Sequence, residues 1–357
     1  ARLRRRNNFT PRASSSAFAK SGSGTGSRGR EGIGRIALAM NVILITPAKR
    51  SSRTGNRTSA VRWARILRRL GHRVRVANDD DGRPADLMLA LNAWRSAEAI
   101  RSYRERCPDG PLIVALGGTD VYEFLRTDPA PTLRSLELAD RLVALHDLAH
   151  RALPRRFRSK LRVIFQSAPP LLRKGPSRDD FTVLVIGHLR DVKDPLRTAL
   201  AARRLPASSL VRVVHLGAAH TPDWARRARA EMERNPRYRW LGDVTPSVVR
   251  RWLGRADLMA LTSRLEGGAN VISEAAAAGV PIVASRIDGT VGLLGPDYPG
   301  YFKVGDTPAL ARLLRRAESD ANFIRALTRA MRRRATRFTP AREVLAWRSA
   351  LAELRRS

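Results

Sequence analysis

The sequence predicts an α/β protein of two domains, each a parallel sheet covered by helices, with the sheets facing across a cleft. Three observations carry that expectation. The chain has 357 residues, too many for one ordinary core. From Met40 onward short apolar runs alternate with amphipathic helical stretches, as strands buried on both faces require. The alternation breaks once, over Gln166 to Asp180, a run of prolines and charges that reads as an interdomain linker.

Residues 1–39 stand outside the alternation. They hold Ser14-Ser15-Ser16, Ser21-Gly22-Ser23-Gly24, many arginines and one acid, Glu31. The segment reads as a disordered or mis-translated basic tail, with Met40 as a natural start; an Arg- and Ser-rich transit peptide would share its character.

Within residues 40–165 the expected strands are 41–46, 73–77, 86–91, 112–116, 141–145 and 162–165. After the first of them, Ala60 to Leu70 sets Val61, Ala64, Ile66, Leu67 and Leu70 on one side of a helix, and Gly71 is its stop. Residues 166–180 are the linker. Residues 181–339 resume with strands 181–186, 210–215, 238–241, 257–261 and 281–284 and helices 194–204, 222–234, 245–254 and 270–279. Each unit is Rossmann-like, so ligands are expected at the carboxyl ends of its strands. Residues 340–357 read as a final helix returning toward the first domain.

Composition narrows the function. No run approaches the ~18 consecutive apolar residues of a membrane span. One cysteine, Cys107, excludes a disulfide framework and a cysteine metal site, and suits a reducing cytoplasm. The net charge of +35 comes almost wholly from arginine, since lysine stands only at 20, 49, 160, 174, 193 and 303. A nucleic-acid-binding protein is the alternative from another class. It calls for aromatics interleaved with a basic face, but aromatics are 6% and are not clustered with the basic runs. The arginines therefore read as solvated decoration that can also concentrate small phosphate-bearing substrates.

The most informative string is Ser263 to Gly289, SRLEGGANVISEAAAAGVPIVASRIDG. Glu266 falls in the loop after a strand, and Gly267-Gly268 lets backbone approach a ligand closely. A helix begins near Asn270, so the amides of Asn270 and Val271 offer a site for a diphosphate. Glu274, eight residues after Glu266, is placed to accept hydrogen bonds from ribose hydroxyls, as Glu266 is from sugar hydroxyls. Alone, a glutamate on an Ala-rich helix reads as solvated; the whole string is more specific. A second element follows the first strand of the same domain: Gly187, His188, Arg190 and Lys193. Arg190 and Lys193 there can offset the charge of a leaving diphosphate.

The Gly-x5-Lys loop with E-x7-E resembles the retaining GT-B glycosyltransferases of the sucrose-synthase and glycogen-synthase-like group. Two departures mark a subgroup: His188 stands where that group has arginine, and Glu-Gly-Gly-Ala-Asn replaces Glu-Gly-Phe-Gly. The strings ITPAKRSSRTGNRTSAVRWARIL, DGRPADLMLALNAWRSAEAI, GHLRDVKDPLRTALAARRLP, NPRYRWLG, SRLEGGANVISEA and GPDYPGYFKVGD resemble the selenosugar synthases of selenoneine biosynthesis. That resemblance implies transfer of selenophosphate to the anomeric carbon of a UDP-sugar, typically UDP-N-acetylglucosamine. It also implies functional coupling to a selenophosphate synthase and a hercynine-coupling enzyme. An alternative of the same chemistry is an ordinary glycosyltransferase with a hydroxyl acceptor; a second alternative is a UDP-sugar epimerase, which shares the two-domain shape but needs acid/base groups that the sequence does not offer.

For the acceptor, the loop after the first strand holds Lys49, Arg50, Ser52, Arg53, Gly55, Asn56 and Arg57 ahead of a helix, an oxyanion cradle. Thr119 and Asp120 end another strand and are candidates to contact the sugar or steady the transition state, with capping of a turn as the plain reading of Asp120. Glu266, Lys193, Arg190 and Asp120 form the candidate catalytic set. His146 and His150 read as surface histidines rather than zinc ligands, and Asp79-Asp80-Asp81 as a turn. Neither metal nor cofactor is expected.

Overall fold

The computed structural model describes residues 39–172, 175 and 179–354. The expected tail, apart from Ala39, therefore lies outside the described residues, as do 173, 174 and 176–178 of the expected linker and the last three residues.

The first sheet is built from β1 (Asn41–Ile45), β2 (Arg73–Ala77), β3 (Leu87–Leu91), β4 (Leu112–Ala115), β5 (Arg141–Ala144) and β6 (Leu161–Val163). They lie in the order β2-β1-β3-β4-β5-β6, every pairing parallel. Its helices are α1 (Gly55–Arg69), α2 (Ala97–Arg106), the short α3 (Leu125–Thr127) and α4 (Pro129–Leu138). β3 and β4 are buried at every position, which explains why their sequences are continuous apolar runs rather than alternating ones. α1 ends at Gly71, whose φ of 94° a side chain would disfavour.

The second sheet comprises β7 (Phe181–Ile186), β8 (Val211–Leu216), β9 (Tyr238–Trp240), β10 (Leu258–Leu261), β11 (Ile282–Ser285) and β12 (Tyr301–Phe302). Its order is β12-β11-β10-β7-β8-β9, again wholly parallel. Around it run α5 (Arg197–Ala202), α6 (Pro222–Arg234), α7 (Pro246–Leu253), α8 (Asn270–Ala278), α9 (Asp288–Leu294), α10 (Thr307–Ser319) and α11 (Ala321–Ala335). The last helix, α12 (Pro340–Leu354), packs on α1 of the first sheet: Trp347 meets Trp63 edge to face at 5.0 Å, and both are fully buried.

The α/β architecture of two parallel sheets follows the alternation in the sequence, with local differences. α1 begins at Gly55 rather than Ala60, because its first turn is polar and its buried side starts only at Ser59 and Ala60. The expected helix 194–204 contracts to 197–202: residues 191–193 form a tight turn and Asp194 takes a left-handed φ of 43°. β12, with two residues, is too short to show a period. Among the described residues no helix is long and apolar enough to cross a membrane.

Candidate active site

The carboxyl ends of β7 and β10 are neighbours in the second sheet, and the two loops that leave them are laced together. Thr262 Oγ1 donates to the carbonyls of Lys193 and Asp194 at 2.9 and 3.0 Å. The Arg264 amide donates to the Val192 carbonyl at 2.8 Å. Lys193 Nζ then reaches Glu266 Oε1 at 2.5 Å, and Ser263 Oγ donates to the same oxygen at 2.6 Å. Glu266 is buried. A carboxylate withdrawn from water needs such partners, so the charge at the end of one strand holds the cation at the end of the other.

Gly187 and His188 are fixed from below. His215, buried in the sheet, donates from Nε2 to the Gly187 carbonyl at 3.0 Å, and its Nδ1 faces the Tyr238 hydroxyl at 3.0 Å. Burial pulls its pKa down to about 4, so it is a neutral strut. His188 Nδ1 accepts from the Ala218 amide at 3.0 Å, which leaves its proton on Nε2. Its burial likewise lowers its pKa.

After Glu266, Gly267 and Gly268 carry the chain to α8. The first-turn amides of Asn270 and Val271 have no intrahelical acceptor and form a positive end. One turn in, Glu274 makes no hydrogen bond or ion pair among the described residues. Burial pushes its carboxyl up to about 7, against the pull of Arg62 and Arg250. A half-buried carboxylate with no donor among the described residues is an open acceptor site.

The first sheet meets this loop at its own carboxyl edge. A Cβ on Gly118 would lie 2.5 Å from the Gly267 amide nitrogen, and one on Gly267 would lie 2.1 Å from that of Gly118. Backbone thus touches backbone where β4 and β10 end, which only paired glycines permit. In the loop after β1, Lys49 and Arg50 are exposed and Arg57 is half-buried; none has an acidic partner among the described residues. Arg53 pairs with Asp243, just past β9 of the second sheet, at 2.9 Å. Ser52 bonds to Thr54, and Gly55 and Asn56 open α1. A Cβ on Gly55 would lie 3.7 Å from the side-chain nitrogen of Asn270. Thr119 Oγ1 accepts from Asn92 Nδ2 at 3.4 Å.

Two expectations are corrected. Asp120 is fully buried and accepts the amides of Ala93, Trp94 and Gly117 at 3.0, 3.3 and 2.6 Å. Burial pushes its carboxyl up to about 6. It clamps two loops rather than facing the cleft, so it is withdrawn from the candidate catalytic set. His146 is no surface group: it is fully buried just past β5, with Nδ1 accepting from the Leu148 amide at 3.2 Å and Nε2 therefore donating to the Tyr122 hydroxyl at 3.1 Å. Burial lowers its pKa to about 4. It packs against Gly292 of α9, which places it between the two sheets; the i, i+4 spacing with His150 hid this because no α-helix forms there. Sequence reasoning also missed Gln166, Arg62 and Glu343, which join the two halves from beneath. Among the described residues no group of three His, Cys, Asp or Glu is placed to hold a metal ion.

Two facing Rossmann-like sheets with a laced Lys–Glu pair at the carboxyl edge of the second define the GT-B class of glycosyltransferase. Residues 172–337, which carry this pair, match the family of glycosyl transferases group 1, and the protein is a glycosyltransferase. Solved structures agree on the fold. HepE of Anabaena, solved with UDP and glucose, superposes with a TM-score of 0.71 at 16% identity over 88% of this chain and 100% of its own. Sucrose-phosphate synthase of Thermosynechococcus elongatus gives 0.71 at 17%, over 88% and 98%. A glycosyltransferase of Rickettsia africae gives 0.68 at 15%, over 88% and 98%. At such identities the likeness speaks for the fold alone. No curated protein sequence matches the chain.

Proposed function

We propose that the protein transfers the sugar of a UDP-sugar to selenophosphate, forming a carbon–selenium bond at the anomeric carbon. The observation that carries the donor half is the meeting of Lys193, Glu266 and Ser263 beside the amino end of α8, with Glu274 unpartnered one turn in. UDP bound in HepE supports the same donor. The acceptor half rests on the resemblance described above and on the cations Lys49, Arg50 and Arg57, which suit a small anion.

In this reading Glu274 takes the ribose hydroxyls and Glu266 those of the sugar. Arg190, Lys193 and the amides of Asn270 and Val271 stabilise the departing diphosphate, with Gly187, His188, Gly267 and Gly268 shaping the wall. Lys193 is already held at the site by Glu266, so it is positioned before the donor arrives. Selenium attacks the anomeric carbon with a lone pair, the bond from that carbon to the diphosphate oxygen breaks, and UDP leaves with the electron pair. Water then cleaves the selenium–phosphorus bond to give phosphate and a selenosugar. Anionic selenium is nucleophilic without a general base, and cations with a helix terminus do the work a metal would otherwise do. A selenophosphate synthase would supply the acceptor and a hercynine-coupling enzyme would consume the product.

The test is incubation with UDP-N-acetylglucosamine with and without selenophosphate, with mass analysis of the products. Selenophosphate-dependent release of UDP and a selenium-bearing sugar is expected, and turnover should fall by roughly 100-fold or more in Lys193→Ala and Glu266→Ala. Near-normal turnover in both variants would overturn the donor site. UDP release that needs a hydroxyl acceptor instead would overturn the selenium chemistry alone.

A further inference from the structure

Beyond β6 the chain crosses from the first sheet to the second through Gln166 and Ser167, both buried. Only one orientation of the Gln166 amide gives every neighbour a partner. Its oxygen accepts from Ser59 Oγ at 2.5 Å and Arg62 Nη2 at 3.0 Å, and its nitrogen donates to the Gly268 carbonyl at 3.0 Å and Asn270 Oδ1 at 2.9 Å. Ser59 and Arg62 belong to α1 of the first domain; Gly268 and Asn270 belong to the loop that follows Glu266 and opens α8. One amide therefore spans both domains. Arg62 is shared further: its Nε lies 3.1 Å from Glu343 of α12, where the chain crosses back.

We propose that Gln166 is a positioning residue for the donor loop: it fixes Gly268 and Asn270, and with them the amino end of α8, to α1 at the point where the chain passes between domains. Gln166 itself is buried, so its amide depends on these four partners, and the loop adopts its working geometry only when α1 is seated. The inference deepens the reading of this loop as the nucleotide-sugar site and rests on it.

Gln166→Glu separates positioning from structure. It keeps the shape and both acceptor contacts to Ser59 and Arg62, but sets an oxygen against the Gly268 carbonyl and Asn270 Oδ1. The opposed oxygens cost stability under either role, so the separating readouts are donor affinity and local exchange. Positioning predicts that UDP affinity and donor kcat/KM, measured well below the melting transition of the variant, fall by about tenfold, while the acceptor KM stays near wild type. It also predicts that amide hydrogen exchange of residues 267–272 in the unliganded protein quickens by about tenfold. Unchanged exchange in Gln166→Glu overturns the inference whether or not the protein binds UDP; a wild type that binds no UDP overturns the donor assignment instead. The cycle with Asn270→Ala gives a second measure. The two changes should be non-additive in the exchange rate, and strict additivity refutes the link.

Discussion

Glu343 concentrates the energetics of the chain's return into one side chain. It sits near the start of α12, 1% exposed, and has four donors on two oxygens. Oε1 accepts from Trp63 Nε1 at 2.8 Å and Arg62 Nε at 3.2 Å. Oε2 accepts from the Ser167 amide at 2.8 Å and Ser167 Oγ at 2.5 Å. Glu343→Gln keeps the volume and turns one oxygen into a donor, so two of the four donors lose their acceptor. Each buried donor left alone costs about 1–3 kcal/mol, and breaking a buried ion pair costs about 3–5 kcal/mol in all. Arg62 still reaches water at one edge, its side chain being 16% exposed, which argues for the lower end, about 3 kcal/mol. At about 2–4 °C per kcal/mol for a chain of this order of size, the calorimetric melting temperature should fall by roughly 6–12 °C. A fall of less than about 2 °C would refute the reasoning, because it would mean that the four hydrogen bonds contribute nothing net.

Gly267→Ala places a methyl group 2.1 Å from the Gly118 nitrogen, so the loops after β4 and β10 must part; a displacement of that order at a reacting centre costs roughly 100-fold in kcat/KM, and a fully active variant would show that this backbone contact is not made in the working enzyme. Glu274→Gln trades function for stability. The folded pKa of Glu274, about 7, lies above its ordinary 4.5, so the contribution of the group is full below that ordinary value and is lost as pH rises through 7. That loss is about 3 kcal/mol above pH 7. The variant should therefore melt higher than wild type at pH 8 and nearly alike at pH 4, by scanning calorimetry; the reverse order would discredit the desolvated carboxylate. Its affinity for uridine should no longer rise with pH between 6 and 8, as it does in wild type if the ionised carboxylate takes the ribose.

The sheets and their sequence order were legible because a strand buried on both faces must be apolar throughout, as Leu87–Leu91 and Leu112–Ala115 are. The Lys193 and Glu266 loops were legible for a related reason: a glycine, a cation and a carboxylate at the ends of neighbouring strands have few other uses. Asp120 and His146 were misread because a polar residue at a strand end looks the same in sequence whether it faces the cleft or turns inward. Only the amides of Ala93, Trp94 and Gly117, and the ring of Tyr122 packed over His146, show which way each one points.

Local patterning, then, determined the elements, their parallel arrangement and the residues carried by the loops after β7 and β10, since apolar periodicity and turn residues act over a few neighbours. Tertiary structure alone decided which distant groups meet. Gln166 finds Ser59 across 107 residues, Glu343 finds Trp63 across 280, and Gly118 lies against Gly267. Such contacts depend on how two whole sheets are set against each other, and a period of burial records that a side chain is inside, not whom it touches.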